Sequence, residues 1–319
     1  MAVFTHLTEQ QIVTFLAGYT LPPLQSVAPI LSGNENSNYK LVLGCEDYVL
    51  TVFEHRTAHK DLTWFVSLLD HMANAGLTTP KVMVTDTNQA LQTVAGKPAM
   101  LQSFLKGSTP DALTIDHAHQ AGQFLASLHQ LNWLGIDKRP SDFSLAKMQK
   151  TVSDLSEALN TISPNFRAIA QKTLAQIDSA LRDMSLPKSI IHGDLFPDNV
   201  FFEGGHLSGV FDFYFASHDD KLFDLAVAIM SWAFDRENRL LPAIANGLLA
   251  GYQSKCPLTD DEKSALKHLM KKAALRFALT RAEDRLNIYN VPNLTAKDPL
   301  QMINRLAMVD GYQPIFSPS

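Results

Sequence analysis

The hydrophobic period changes once along this chain, and that change limits what it can fold into. Before residue 107, apolar residues fall in short β-branched and aromatic runs; from 116 onward they recur at helical spacing. Runs at 24–31, 38–44 and 47–54 predict strands, broken at Gly33 and at Cys45-Glu46, with shorter strands at 81–85, 89–94 and 98–105. Two helices interleave, over 8–18 and 60–75. Thr8 and Gln11 form a capping box at the first, and Gly76 closes the second. Helical patterns follow at 116–131, 165–185, 219–235, 239–253 and 259–287, with one short β island at 188–213. Gly107-Ser108-Thr109-Pro110 marks the boundary between the two regimes. A chain of 319 residues is long for one core. The pattern therefore predicts a bilobal α+β protein: a small antiparallel β-rich lobe over 1–107 and a larger, mainly helical lobe over 108–319.

Composition removes several classes. Hydrophobic residues make up 46% and charged residues 18%, so the chain can bury a core and is not disordered. The net charge of −5 argues against a nucleic-acid binder, which needs a basic face. The two cysteines, Cys45 and Cys256, are too few for a disulfide framework or a zinc site. No run approaches a membrane span, and Met1-Ala2-Val3-Phe4 lacks the basic start of a secretory signal. A cytoplasmic protein without a membrane partner is expected.

The β island carries the chemistry. It reads Ile190-Ile191-His192-Gly193-Asp194, then Pro197-Asp198-Asn199-Val200, a turn at Glu203-Gly204-Gly205, and Val210-Phe211-Asp212-Phe213. His192, Asp194, Asn199 and Asp212 stand among residues that are expensive places for polar groups. The spacing H-x-D-x-x-x-x-N with a later Asp on a strand matches the kinase catalytic loop and its metal-binding Asp. Phosphoryl transfer needs a carboxylate to receive the hydroxyl proton, Asp194, and hard oxygen ligands for Mg²⁺, Asn199 and Asp212. Gly193-Asp194 and Pro197-Asp198-Asn199 are also good turn formers, but a turn does not require the Asp at 212. His192 reads as loop scaffold.

These residues resemble the aminoglycoside phosphotransferase and choline kinase superfamily, a branch of the protein-kinase-like fold. Within it the chain resembles the bacterial homoserine kinases, through Glu35-Asn36-Ser37-Asn38-Tyr39, Tyr48-Val49-Leu50-Thr51, His192 to Phe202, Gly209 to Ala216, and Ala274 through Arg281. The resemblance implies ATP-dependent, in-line phosphorylation of the L-homoserine side-chain hydroxyl, a small-molecule reaction of threonine biosynthesis. It also implies that Asp224 holds the catalytic loop and that Leu128-His129 ends the helix before it.

On the nucleotide side, the resemblance places the phosphates at the turn Ser32 to Asn38, with Asn36, Ser37 and Asn38 as donors. It places adenine at the linker Gln102-Ser103-Phe104-Leu105, through Gln102, Ser103 and Leu105. One departure stands out. Thr51 occupies the position of the usual phosphate-pairing lysine, and its glutamate partner falls near Phe65, so both charges are absent together. Lys40 and Arg56 are candidates to neutralise the phosphates, and Mg²⁺ alone is a third. A substrate carboxylate wants an arginine. Arg276, Arg281 and Arg285 lie on one helical pattern, and Arg281 is assigned, with Tyr214 facing the same acceptor. Asp219 and Asp220 fit either the substrate ammonium or a helix cap. His117-Ala118-His119 reads as a helix start, not a metal site, and Met270-Lys271-Lys272 as a solvated face. Choline, ethanolamine or an aminoglycoside as acceptor, or a nucleotide-binding pseudokinase, are the competing readings.

Overall fold

The computed structural model describes residues 4–31, 36–54, 59–287 and 297–316. The chain separates into two compact units, Met1–Gly107 with Ser208–Tyr214, and Ser108–Leu207 with Phe215–Ser319.

The first unit begins with α1 (Glu9–Leu16), whose Thr8–Gln11 capping box forms as the sequence predicts. Strands β1 (Leu24–Ile30), β2 (Ser37–Leu43) and β3 (Glu46–Val52) form a meander. Helix α2 (His59–Asn74) follows, then β4 (Leu91–Val94) and β5 (Lys97–Ser103). The sheet order is β1-β2-β3-β5-β4, and every pairing is antiparallel. Strand β2 alternates buried and half-buried residues. Tyr39, Leu41 and Leu43 thus share one face, which closes on Ile12 and Phe15 of α1 and on Leu50, Val52 and Leu101. The expected strand at 81–85 does not form; Val82 makes a single bridge to Gln102. Pro80 precedes it and a turn at Asp86–Asn88 follows, which leaves too little chain to propagate a ladder.

The second unit contains α3 (Ile115–His129), α4 (Leu145–Ile162), α5 (Phe166–Leu181), α6 (Lys221–Trp232), α7 (Pro242–Gln253), α8 (Asp260–Asn287) and α9 (Pro299–Met308). Its strands are β6 (Lys188–Ile191) and β9 (Ser217–Asp220), an antiparallel pair, and β7 (Val200–Glu203); β8 (His206–Val210) starts here, and its residues from Ser208 on belong to the first unit. Glycines let α3 and α7 approach backbone to backbone. A Cβ on Gly251 would lie 1.9 Å from the His119 carbonyl oxygen, and one on Gly122 2.2 Å from that of Leu248. Helix α6 is buried all round, from Leu222 to Trp232, so it forms the centre of this unit.

Four differences from the sequence reading have clear causes. Helices α4 and α9 were not anticipated. The first carries Met148, Val152 and Leu159 as its buried positions, a sparse stripe in a polar run. The second opens with Asp298 as N-cap and Pro299 just inside, a start signal that stands alone in a short segment. The helix expected from 219 begins at Lys221, because Ser217–Asp220 is extended and pairs with β6. Lys271 and Lys272 are buried, not solvated. Lys272 lies 4.0 Å over the Phe223 ring and 3.5 Å from Asp219, while Lys271 pairs with Asp310 at 2.8 Å.

Candidate active site

In the second unit, one buried carboxylate organises the loop that carries Asp194. Asp224 sits in the first turn of α6, fully buried. Its Oδ2 accepts the His192 amide at 2.7 Å, and its Oδ1 accepts the Gly193 amide at 2.8 Å. The ring Nε2 of His129, the last residue of α3, lies 3.1 Å from the same Oδ2. His129 Nδ1 meets the Tyr252 hydroxyl at 2.9 Å. Burial alone would push the Asp224 carboxyl up; bonding from His129 and the His192 amide outweighs it and holds it below the usual carboxylate range. Burial pushes the Tyr252 hydroxyl far up, so it stays neutral. Asp224 thus bonds the loop at His192 and Gly193, His129 backs it from the end of α3, and Tyr252 completes the chain from α7.

Breaking this clamp should cost the fold directly. Asp224→Asn leaves an amide NH₂ against two backbone donors that want an acceptor. We expect about 3–5 kcal/mol less stability in urea denaturation, the range for breaking a buried ion pair. A loss below about 1 kcal/mol, the worth of one ordinary hydrogen bond, would show that the clamp is not structural.

The loop then turns at Gly193, whose φ is +77°. A Cβ there would stand 2.7 Å from the Phe215 carbonyl oxygen, so both conformation and space select glycine. Asp194 follows, partly exposed, and its amide donates to His192 Nδ1 at 3.2 Å. His192 therefore acts as scaffold and accepts at that nitrogen. The short 3₁₀ turn Pro197–Asn199 brings Asn199 back, and its Nδ2 donates to the Asp194 carbonyl at 2.9 Å. That bond commits the amide nitrogen and leaves the Asn199 oxygen as a hard donor for a cation.

Arg276 of α8, weighed in the sequence but not chosen, touches the loop. Its Nη1 donates to the Gly193 carbonyl at 2.5 Å and lies 3.4 Å from Asp194 Oδ1. The guanidinium stacks 3.6 Å from the Phe143 ring centre and 4.0 Å from that of Phe277. Burial lowers its pKa to about 10, with Asp194 opposing, so it remains charged near neutrality. An arginine inside Ala274-Leu275-Arg276-Phe277-Ala278-Leu279 is a legible signal, since a charge in an apolar run needs a buried partner. Arg281 is also buried; its Nη1 donates to the Asp298 carbonyl at 3.2 Å and to Gln301 Oε1 at 2.8 Å. Burial holds its pKa below the ordinary value, and Asp194 and Asp298 oppose that shift. Arg285 is exposed, 3.9 Å from Asp298. Asp219 is buried beside Lys272, and Asp220 takes the N-cap position of α6 and pairs with Lys188 at 2.9 Å. His117 is the N3 member of a capping box with Thr114 and packs on Phe202, as a helix start should. No cluster suited to a metal ion occurs among His, Cys, Asp and Glu of the described residues.

The first unit holds the other assigned residues. Asp212 was expected on a strand; β8 instead ends at Val210, and Asp212 has a left-handed backbone, φ +67°. Aspartate is one of the few non-glycine residues that enters that region readily. Tyr214 packs edge-on against Phe53 and Phe65, with ring centres 6.1 and 5.6 Å away. Of the phosphate turn, residues 32–35 lie outside the described residues, as does Arg56. Asn36 and Ser37 are buried, and Ser37 Oγ donates to Glu54 at 2.7 Å. Lys97 pairs with the same Glu54, whose carboxyl burial would raise but Lys97, Ser37 and Thr5 hold low. The unit thus has a Lys–Glu pair, at positions no kinase pattern pointed to. Lys40 is engaged with Asp47 at 2.7 Å.

Thr51 is buried and uncharged, as expected. Its Oγ1 donates to Asn38 Oδ1 at 2.8 Å and accepts from Gln102 Nε2 at 3.3 Å, which ties two assigned nucleotide residues together. Ser103 is joined to Lys81 through its amide and Oγ, and Leu105 packs on Gly209. Thr51→Ala should lower kcat/KM less than about tenfold, the worth of one or two neutral hydrogen bonds, and mainly through KM for ATP. A loss on the order of a thousandfold would mean that Thr51 acts directly on the phosphates.

Comparison with known proteins follows the same lines. Residues 26–258 match the phosphotransferase enzyme family. The homoserine kinase of Granulibacter bethesdensis is 38% identical over 315 residues, spanning 96% of each chain. That of Gluconobacter oxydans is 37% identical over 308 residues, spanning 96% of this chain and 97% of its own. The crystal structure of a spectinomycin phosphotransferase with ADP and spectinomycin superposes with a TM-score of 0.69 at 14% identity, covering 95% of both chains. The fold is that of the kinase-like phosphotransferases.

Proposed function

We propose that this chain, which belongs to the phosphotransferase enzyme family and aligns over 96% of its length with homoserine kinases, transfers the γ-phosphoryl group of ATP to the side-chain hydroxyl of L-homoserine. The products are O-phospho-L-homoserine and ADP, in a step of threonine biosynthesis. The observation that carries the chemistry is the hold on Asp194. Its loop is fixed through Asp224, and Arg276 lies 3.4 Å from its carboxylate. Asp194 receives the hydroxyl proton as the oxygen attacks phosphorus in line. Arg276 orients that carboxylate and, being hydrogen-bonded to the Gly193 carbonyl, keeps the loop from drifting away from the acceptor.

We assign Mg²⁺ to Asn199 and Asp212, which offer the hard oxygens it requires. When bound, the ion draws charge off the transferring group. Asn36, Ser37 and Asn38 are assigned to the phosphates, and Gln102, Ser103 and Leu105 to adenine. Arg281 is assigned to the substrate carboxylate, with Tyr214 beside the acceptor. A coupled ADP-release assay with homoserine, choline, ethanolamine and kanamycin tests the acceptor. Homoserine should lead in kcat/KM by on the order of 10²-fold or more. Faster turnover of choline or kanamycin would replace homoserine as the substrate.

A further inference from the structure

A pocket of about 420 Å³ opens in the second unit around the start of β6. Trp133, Ile136, Lys138, Lys188, His218 and Lys221 line it, and no described carboxylate does. Neither Asp194 nor Asn199 belongs to its lining. Lys188 is paired with Asp220, whereas Lys138 and Lys221 have no ion-pair partner among the described residues. Burial, then Lys138 and Lys188, hold the His218 imidazole below its ordinary pKa against the pull of Asp219 and Asp220. In a chain of net charge −5, such a concentration of cations runs against the global sign.

The walls are fixed rather than loose. Trp133 Nε1 donates to Ser189 Oγ at 3.0 Å, and that hydroxyl donates to the His129 carbonyl at 3.2 Å. The His218 amide donates to the Arg139 carbonyl at 2.7 Å, which ties the Lys138 segment to β9. A pocket ordered before binding loses less entropy on occupation.

We propose that this pocket binds a small phosphomonoester anion. Ammonium groups are compact point charges with several donors each, suited to the spread charge of a phosphate dianion. No arginine lines the pocket, and lysine binds phosphate as a point charge without the bidentate fork. Trp133 and Ile136 offer apolar surface to the carbon portion of such a molecule.

Isothermal titration calorimetry of the full chain with O-phospho-L-serine, and with L-serine as the control without the phosphate, tests this. The phosphorylated probe should bind in the sub-millimolar range and L-serine should not. In the double variant Lys138→Glu/Lys221→Glu, affinity should fall by at least about tenfold. The neutral pair Lys138→Gln/Lys221→Gln should lose less. Both variants should keep the wild-type kcat with ATP and homoserine, since neither lysine is placed in the catalytic machinery, and this also reports that they fold. An absence of heat with the phosphorylated probe, or an affinity unchanged by charge reversal in an active variant, would overturn the proposal. Neither result bears on the acceptor of the kinase reaction, which is measured separately.

Discussion

Asp194→Asn is expected to lower kcat for homoserine by roughly 10²–10⁴-fold, the worth of a positioned acid–base group, with near-normal affinity for Mg-ATP. The substitution keeps size and hydrogen-bonding shape. The backbone bond from residue 194 to His192 Nδ1 is untouched, and so is the bond from Asn199 to the 194 carbonyl. What is lost is the proton acceptor and the negative charge beside Arg276. Steady-state kinetics with either substrate varied checks this. A kcat within about threefold of wild type would remove Asp194 from the proton transfer. Thermal unfolding should accompany it, because Arg276 is buried and would be left with the Gly193 carbonyl in place of a carboxylate nearby.

Asp212→Asn should be at least as severe. Its backbone lies at φ +67°, a region that asparagine tolerates as well as aspartate does. The change therefore tests charge and not conformation. A ligand of the catalytic metal contributes several kcal/mol of transition-state stabilisation, so turnover should fall by on the order of 10³-fold or more. Added Mg²⁺ should recover part of the loss, and equilibrium binding of Mg-ATP should weaken. Circular dichroism should match wild type. Turnover that stays Mg²⁺-dependent and within tenfold of wild type would exclude the assignment.

Much of the fold could be read before any coordinates. The period-two runs became β1, β2, β3 and β5, with bounds shifted by one or two residues, and the Thr8 capping box formed as written. The loop around Asp194 was legible because polar residues in an apolar island have few other reasons to be there. Arg276 was weighed and passed over. A place on a helical pattern does not say which arginine is buried; that depends on what the neighbouring elements bring to it. The partner, the Gly193 carbonyl, lies 83 positions away, and no local rule sees that distance. Lys271 and Lys272 failed the same way. A pair of lysines reads as surface, but a long apolar stem over Phe223 and an aspartate on β9 make burial favourable for Lys272. Asp212 was placed on a strand because Val-Phe-Asp-Phe has strand composition; the strand stops at Val210 and Asp212 turns left-handed, a conformation that aspartate tolerates.

The central claim is a single, direct transfer from ATP to the homoserine hydroxyl with Asp194 as base. Reaction with ATP made chiral at the γ-phosphorus by oxygen isotopes tests it in one measurement. The account predicts O-phospho-L-homoserine with inverted configuration at phosphorus, formed one for one with ADP. Retained configuration would show a phosphoenzyme intermediate, and ADP without phosphohomoserine would show that homoserine is not the acceptor; either result would contradict the account.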